Sequence, residues 1–306
     1  MNSAVSEPAL IGVDWGTSSF RAFLIGAEGE VLDGVSSSDG IMHVPDQSFE
    51  AVLERLIGAW TAKKSLPILA SGMITSRNGW VETPYANMPL GACGLGQRLV
   101  QYKVANGALF HFVTGASTEH VGGPDVMRGE ETQIIGASAL GLSEGTFVMP
   151  GTHSKWVQVA DGKIVDFSTY MTGELFSALK GHTILGTLMA EGPFNQDAFE
   201  MGVKAGFGDA SNLLHNLFHV RTLPLMGKIP QEATADYMSG LLIGTEVAAA
   251  MGEVEVSGEI TIVGRNDLTD RYEAALRTAG LQSRRASEEI VAKGHFLIAR
   301  AAGLVR

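Results

Sequence analysis

The sequence has little of what marks secreted or membrane-spanning proteins. Its 306 residues include one cysteine, Cys93, so no disulfide can form within the chain. The first ten residues, MNSAVSEPAL, lack the basic segment followed by an apolar segment that is typical of a signal peptide. No uninterrupted apolar run reaches the ~18 residues that a membrane span needs. These absences predict a cytoplasmic protein with no membrane partner.

Basic residues are also scarce. The chain has 22 Lys and Arg against 33 Asp and Glu, which gives a formal net charge of −11 at pH 7. Because binding a polyanion needs a concentrated basic face, this balance argues against a nucleic-acid partner and favours a small-molecule ligand. Hydrophobic residues, at 45%, and glycine, at 38 residues, are plentiful. The chain can therefore bury a large core, and its glycines allow tight turns and close approach of backbone to a ligand.

Strand and helix patterns alternate along the chain. Residues 9–13 and 20–25 are predicted strands that flank the polar turn Asp14–Ser18. Apolar residues from Phe49 to Trp60 recur with helical spacing, and residues 67–70 are again a predicted strand. Continued alternation of this kind predicts the α/β class.

The N-terminal arrangement recurs near the middle of the chain. Strands predicted at residues 146–149 and 156–159 flank a second turn that contains Gly151-Thr152, 135 residues after Gly16-Thr17. A Gly-Thr pair also recurs by chance, so coincidence is the alternative explanation. A true repeat would give two similar lobes, each opening with a glycine–hydroxyl hairpin, and a ligand cleft where the hairpins face each other.

The first turn has the residue types of a phosphate-binding loop. Gly16 lets backbone N–H groups approach phosphate oxygens, Thr17 and Ser18 add hydroxyl donors, and Asp14 can hold a hydrated Mg²⁺. The alternative is an ordinary hairpin in which Asp and Thr satisfy turn amides. The second copy of the pattern favours phosphate binding.

Three segments in chain order resemble the two phosphate motifs and the adenosine motif of the sugar-kinase/hexokinase/actin superfamily: IGVDWGTSSFRAFLI, PGTHSKWVQV and ITIVGRNDLTDRYEAAL. Four segments together resemble the 2-keto-3-deoxygalactonate kinase family within it: GMITSRNGWVETPY, PDVMRGEETQIIGA, PGTHSKWV and TGELF. The resemblance implies the actin-like ATPase fold, with two ribonuclease-H-like lobes and an interlobe cleft. The lobes are expected at residues 1–124 and 125–306, with the last helix, after Ser287, packing back on the first lobe.

The resemblance also implies a reaction, the Mg-ATP-dependent phosphorylation of 2-dehydro-3-deoxy-D-galactonate at its C6 hydroxyl in galactonate catabolism. Two alternatives stay open. One is a kinase of another sugar or sugar acid on the same fold, and the other is an actin-like or chaperone-like ATPase with a protein partner. Whether the chain forms a homo-oligomer also stays open.

Roles carried over from the family fall on the three motifs. The residues expected at the metal and the terminal phosphates are Asp14, Gly16, Thr17 and Ser18. Those expected to contact phosphates from the second lobe are Gly151, Thr152 and His153. Gly264 would lie beside adenosine, and Arg265 would either stack on adenine or remain in solvent.

The catalytic base has two candidates. Superfamily kinases place an aspartate at the start of the helix that joins the lobes, where it accepts the proton of the attacking hydroxyl. Asp125 lies at that juncture. Glu130 is the alternative, because related kinases often have Gly-Asp at the helix start and this chain has Gly129-Glu130. Asp125 could instead be a helix N-cap.

A substrate carboxylate would be bound by guanidinium, which pairs with it in bidentate fashion. Arg77 and Arg128 are the candidates, with structural ion pairs as the alternative. Three neighbouring residues are expected to form a wall of the sugar-acid pocket or, alternatively, an ordinary half-buried strand and turn: Trp80, Glu82 and Tyr85.

Overall fold

The computed structural model describes residues 6–104, 108–254, 256, 258–287 and 289–306. Residues 1–5, half of the stretch compared with a signal peptide, lie outside the described residues. Among the residues described, no helix combines the length and the apolar composition needed to cross a membrane.

The chain alternates strands and helices, as the sequence predicts. The strands are β1 (Pro8–Trp15), β2 (Phe20–Gly26), β3 (Val31–Ser37), β4 (Ile68–Ser71), β5 (Tyr85–Asn87), β6 (Val100–Lys103), β7 (Leu109–Phe112), β8 (Gly115–His120), β9 (Gly123–Met127), β10 (Gly145–Met149), β11 (Ser154–Ala160), β12 (Lys163–Tyr170), β13 (Ile260–Ile262) and β14 (Ser283–Arg285). The α-helices are α1 (Phe49–Thr61), α2 (Ala92–Gly96), α3 (Glu130–Ser138), α4 (Thr172–His182), α5 (Gln196–Gly208), α6 (Leu213–Leu225), α7 (Thr234–Glu253), α8 (Asn266–Thr278) and α9 (Ile290–Ala301).

Short 3₁₀ turns complete the regular structure of the described residues. They are Ile41–His43, Pro45–Gln47, Met73–Thr75, Ile184–Leu188, Ala210–Asn212 and Gln231–Ala233.

Contacts within the chain define two compact units. The first comprises residues 1–144, 159–166 and 287–306, and the second comprises residues 145–158 and 167–286. This division differs from the one expected at residue 124, because α3 and α9 both belong to the first unit. A Cβ on Gly136 of α3 would lie 1.8 Å from the carbonyl oxygen of Ile290, and one on Gly294 of α9 would lie 1.9 Å from that of Thr132. The two helices therefore meet backbone to backbone.

The main sheet of the first unit has the strand order β3-β2-β1-β4-β7-β6. β1 pairs with β2 antiparallel, β2 with β3 antiparallel, and β1 with β4 and β4 with β7 in parallel. One face packs on α1, whose apolar stripe places Val52, Leu53 and Ile57 among buried strand residues. A smaller sheet has the order β5-β8-β9.

The sheet of the second unit has the order β12-β11-β10-β13-β14. It repeats the order of the first five strands of the other sheet, so the duplication predicted from the two glycine–threonine turns is present in the fold. Helices α5 and α7 pack closely here, because a Cβ on Gly202 would lie 2.1 Å from the carbonyl oxygen of Tyr237 and one on Gly240 would lie 2.0 Å from that of Phe199. The glycines that interrupt the apolar helix α7 are thus packing positions.

Candidate active site

The first glycine–hydroxyl turn connects β1 to β2 and keeps backbone donors free. Gly16 donates its N–H to the carbonyl oxygen of Ser19 at 2.9 Å, which closes the turn. The N–H groups of Thr17 and Ser18 have no hydrogen-bond partner among the described residues, and both residues are exposed. Two adjacent free N–H groups beside two hydroxyls form a site suited to a phosphate oxygen.

A segment that we call the covering segment, Asp39–His43, holds this turn from one side. The Trp15 indole N–H donates to the Asp39 carbonyl oxygen at 2.6 Å, and the Met42 N–H donates to the Thr17 carbonyl oxygen at 3.2 Å. A Cβ on Gly40 would lie 2.3 Å from that same carbonyl oxygen, so only glycine permits the approach. The Thr17 carbonyl is thereby fixed, whereas the Thr17 and Ser18 N–H groups remain available as donors.

Asp14 lies near the end of β1, opposite Ser71 of β4, and is largely shielded from solvent. Its Oδ2 accepts two hydrogen bonds from the Arg21 guanidinium, at 2.5 and 3.1 Å, whereas its Oδ1 has no partner among the described residues. Magnesium commonly binds through one or two carboxylates together with waters and substrate phosphates. One carboxylate oxygen without a partner among the described residues fits that pattern.

The second turn, between β10 and β11, repeats the design of the first. The Thr152 carbonyl oxygen accepts the N–H of Glu174 at 2.9 Å, and a Cβ on Gly173 would lie 2.3 Å from the Gly151 carbonyl oxygen. His153 Nε2 lies 2.5 Å from Glu174 Oε2. The start of α4 therefore fixes the carbonyl side of this turn, as the covering segment does in the first unit. The N–H groups of Gly151, Thr152 and His153 have no partner among the described residues.

The third motif follows β13. Val263 donates its N–H to the carbonyl oxygen of Val148 at 2.9 Å, and a Cβ on Gly264 would lie 3.6 Å from Pro150, so this bend lies against the start of the second turn. Arg265 occupies the N-cap position of α8, and its side chain is 78% exposed and pairs with Asp267 at 3.2 Å. This geometry favours the solvated alternative for Arg265.

The two candidate bases occupy different elements. Asp125 lies within β9, where its carboxylate accepts the N–H of Val126 at 2.7 Å. Helix α3 begins five residues later, at Glu130, and its N-cap is Gly129. The idea that Asp125 starts or caps this helix is therefore wrong, because the Gly129 backbone, with φ of 111°, makes the turn into the helix.

The start of α3 lies close to Asp14. A Cβ on Gly129 would lie 3.1 Å from Gly72 Cα, and one on Gly72 would lie 3.2 Å from Asp14 Oδ1. Glu130 accepts the N–H of Arg128 at 2.9 Å and remains partly exposed. Its neighbour Glu131 is buried, and that burial, reinforced by the Glu130 charge, raises the pKa of Glu131 to about 8. The backbone at the start of α3 therefore lies beside Gly72, which in turn lies beside the Asp14 carboxylate.

Arg128 anchors a loop. Its Nη1 donates to the carbonyl and hydroxyl oxygens of Thr75, both at 2.7 Å, and to the Thr83 hydroxyl at 2.6 Å, while Nη2 donates to the Thr83 carbonyl oxygen at 3.0 Å. Its guanidinium also lies 4.4 Å from the centre of the Tyr85 ring. These contacts tie together both ends of the segment 75–83.

The same segment carries three other candidates in different environments. Arg77 is exposed and has no ion pair among the described residues. Trp80 stacks on Phe49 at 5.9 Å and packs edge-on against Phe110, so this partly buried side chain packs against the core of the first unit. Glu82 is exposed. Of the predicted substrate residues, the structure brings Arg128 and Tyr85 into contact and leaves Arg77 free in solvent.

Two buried carboxyl groups close to the motifs were not expected from the sequence. Glu131 follows the candidate base, and Glu246 in α7 accepts hydrogen bonds from Ser154, just after the second turn, and from Thr172 at the start of α4. For Glu246, the sequence did offer one signal of a buried polar role, because it is an acidic residue within the strongly apolar stretch that forms α7.

Known proteins resemble this chain over nearly its whole length. The sequence profile of the 2-keto-3-deoxy-galactonokinase family matches residues 14–298, a span that contains both turns and the third motif. The chain belongs to this family. The 2-dehydro-3-deoxygalactonokinase of Escherichia coli (strain K12) is 36% identical over 270 residues, which cover 88% of this chain and 90% of that protein.

Two further relatives support the same family assignment. A probable 2-dehydro-3-deoxygalactonokinase of Rhizobium meliloti (strain 1021) is 39% identical over 301 residues, 94% of this chain and 96% of that protein. The crystal structure of a Sinorhizobium meliloti protein, assigned provisionally to the same activity, superposes with a TM-score of 0.88 at 36% identity and covers 95% of this chain and 98% of that one. The predicted fold class is confirmed as the mixed α/β fold of sugar kinases and actin-like ATPases.

Proposed function

We propose that the protein is an ATP-dependent 2-dehydro-3-deoxygalactonokinase that transfers a phosphoryl group to the C6 hydroxyl of 2-dehydro-3-deoxy-D-galactonate in galactonate catabolism. The observation that carries this proposal is the family match, which spans residues 14–298 and includes both glycine–hydroxyl turns. Relatives of 36% and 39% identity, aligned over most of their length, carry the same activity in their names.

Each turn is proposed as a phosphate-binding loop. In the first unit the donors are the N–H groups of Thr17 and Ser18, and in the second they are those of Gly151, Thr152 and His153. Asp14 Oδ1 is the proposed ligand of Mg²⁺ or of a water bound to it, and the ion would supply charge neutralisation for the transferring phosphoryl group. Arg21 holds the other carboxylate oxygen and so fixes the direction in which Oδ1 points. Gly264 is proposed to lie beside adenosine.

The proposed base is Glu130, with Asp125 as the alternative. Glu130 begins a helix that contacts the Asp14 region through Gly129 and Gly72, and its side chain is partly exposed, so it can reach a substrate hydroxyl. A base must lie within hydrogen-bond reach of the proton that it removes. Asp125 lies on β9 of the small sheet, where it pairs with Thr118 of β8.

Arg77 is proposed to bind the substrate carboxylate. Its guanidinium is exposed and free of ion pairs among the described residues, whereas most donors of Arg128 are already used by Thr75 and Thr83. Arg128 is therefore proposed to hold the loop that carries Arg77. Glu82 and Tyr85 remain proposed contacts for substrate hydroxyl groups and the carbon chain.

The proposal is tested by a coupled assay of ATP consumption on the purified chain. The panel of acceptors contains 2-dehydro-3-deoxy-D-galactonate, its epimer 2-dehydro-3-deoxy-D-gluconate, gluconate and glucose. Each acceptor is assayed with and without EDTA. We expect turnover that requires Mg²⁺ and prefers the galactonate derivative, and phosphorus NMR of the product should show a C6 phosphate ester. Preference for another sugar or sugar acid would indicate the first alternative, and ATP hydrolysis unaffected by every acceptor would indicate an ATPase with a protein partner.

A substitution links the assay to the site. Asp14→Asn should abolish turnover and leave the melting temperature within a few degrees of wild type, because an amide keeps the shape but supplies no negative charge to the metal. Near-normal turnover in this variant would remove Asp14 from the proposed site.

A further inference from the structure

The carboxylate of Glu246 is the centre of a buried hydrogen-bond network in the second unit. Its Oε1 accepts from the Ser154 hydroxyl at 2.7 Å and from the Trp156 indole N–H at 2.8 Å. Its Oε2 accepts from the Tyr272 hydroxyl at 2.6 Å and from the Thr172 hydroxyl. The side chain is 3% exposed, so it cannot bind substrate directly.

These four donors come from three elements that also carry the proposed nucleotide motifs. Ser154 and Trp156 belong to β11, which leaves the second phosphate turn, and Thr172 is the first residue of α4. Tyr272 lies in α8, the helix that follows the Gly264 bend. One carboxylate on α7 is therefore bonded to β11, α4 and α8, three elements next to the proposed nucleotide-binding turns of the second unit.

We propose that Glu246 is a positioning residue for nucleotide binding, which fixes α4 and β11 relative to each other so that the second turn presents its N–H groups to a phosphate. The inference rests on the proposed function, because it takes this turn to be a phosphate-binding loop. The link from α4 to the turn is direct: Gly173 lies so close that a Cβ on it would be 2.3 Å from the Gly151 carbonyl oxygen, and the Glu174 N–H donates to the Thr152 carbonyl oxygen at 2.9 Å.

A contribution to stability alone does not explain why a carboxylate stands at position 246. Burying a carboxylate carries a desolvation penalty, and well-packed apolar residues often serve a protein core equally well. Burial raises the pKa of Glu246, and the four hydrogen bonds act in the opposite direction. What an apolar side chain could not do is accept four hydrogen bonds in a set geometry, and that geometry is what orients β11, α4 and α8.

The test is Glu246→Gln, which keeps the size of the side chain. An indole N–H can only donate, so the amide oxygen must face Trp156 and the NH₂ group must face Thr172 and Tyr272. The bond to β11 survives, whereas the bond to α4 has to reverse its direction. We expect the KM for ATP to rise at least tenfold and the KM for the sugar acid to stay within twofold, because one misplaced loop affects only the ligand that it binds.

The matched control is Glu253→Gln on the same helix. Glu253 also accepts two hydroxyl hydrogen bonds, from Ser168 at 3.1 Å and Tyr170 at 3.0 Å, but it is exposed and has no bond to the second turn or to α4. Its variant should keep both KM values. A second test variant, Thr172→Val, deletes one donor and leaves the carboxylate intact. It should raise the KM for ATP in the same direction, and the double variant with Glu246→Gln should show less than the product of the two effects.

The affinity for ADP decides the inference independently of the sugar substrate. It is measured by titration calorimetry, at a temperature where circular dichroism shows that each variant is folded. A tenfold or greater loss of ADP affinity in Glu246→Gln supports it even if the wild-type chain prefers another acceptor. Unchanged ADP affinity and unchanged KM for ATP, together with a lowered melting temperature, would show that Glu246 is merely structural. An equal rise in both KM values would also overturn the inference. If the wild-type chain binds no ADP, the proposed function and this inference both fail.

Discussion

Substituting Gly173 by alanine tests the idea that α4 holds the second phosphate turn. The new Cβ would lie 2.3 Å from the Gly151 carbonyl oxygen and 3.0 Å from Thr152 Cα, where ordinary contacts begin at 3.4 Å. Turn and helix must therefore separate by about 1 Å, and overpacking of this size costs roughly 1–3 kcal/mol. Misplacement of binding groups by that distance can lower the rate by about 10²-fold.

The matched control lies on the same helix. A Cβ on Gly181 would meet nothing within 4 Å, so Gly181→Ala should gain up to about 1 kcal/mol of stability from helix propensity alone. Steady-state kinetics against ATP and thermal unfolding are measured for both variants. We expect Gly173→Ala to lose kcat/KM for ATP by tenfold or more, and Gly181→Ala to keep it. A Gly173→Ala protein with kinetics within twofold of wild type would refute the reasoning.

Three further predictions concern the first unit. Arg77→Met should raise the KM for the sugar acid about 10- to 150-fold without changing the KM for ATP, whereas Arg128→Met should chiefly lower the melting temperature, because it frees both ends of the loop that it anchors. In steady-state assays Glu130→Ala should lower kcat by about 10²-fold, whereas Asp125→Ala should not; the reverse result would make Asp125 the base. Burial lowers the pKa of His295 to about 4, so the folded state favours the neutral ring and loses stability as the pH falls from 6.5 towards 4, by about 3 kcal/mol. Denaturant titrations at pH 7 and pH 4.5 measure the free energy of unfolding of both proteins. Between these pH values His295→Gln should lose less of this free energy than wild type, and an equal loss would show that another group is responsible.

The sequence by itself determined the elements that depend on local pattern. The two glycine–threonine turns, the strands around them and helix α1 are set by hydrophobic periodicity and by residues with strong turn preferences, which act over a few neighbours. The repeat at 135 residues predicted two similar sheets, and the strand orders agree. The fold class and the family followed from these motifs.

Tertiary structure alone decided which residues meet across long separations. Glu246 lies 92 residues from Ser154 and 74 from Thr172, and no local pattern predicts that their side chains share a hydrogen bond. Trp80, expected at the pocket, packs in the aromatic core because Phe49 and Phe110 come from distant elements to enclose it.

The start of α3 shows the same limit on a shorter scale. The Pro124-Asp125 pair has the composition of a helix start, yet these residues belong to β9, which pairs with β8. The helix begins only after Gly129, at Glu130. Strand pairing satisfies the backbone of residues 123–127 in a way that no local preference reveals, since the partner strand decides it. The sequence therefore fixes which turns and helices can form, whereas contacts between distant segments fix which side chains those turns bring together.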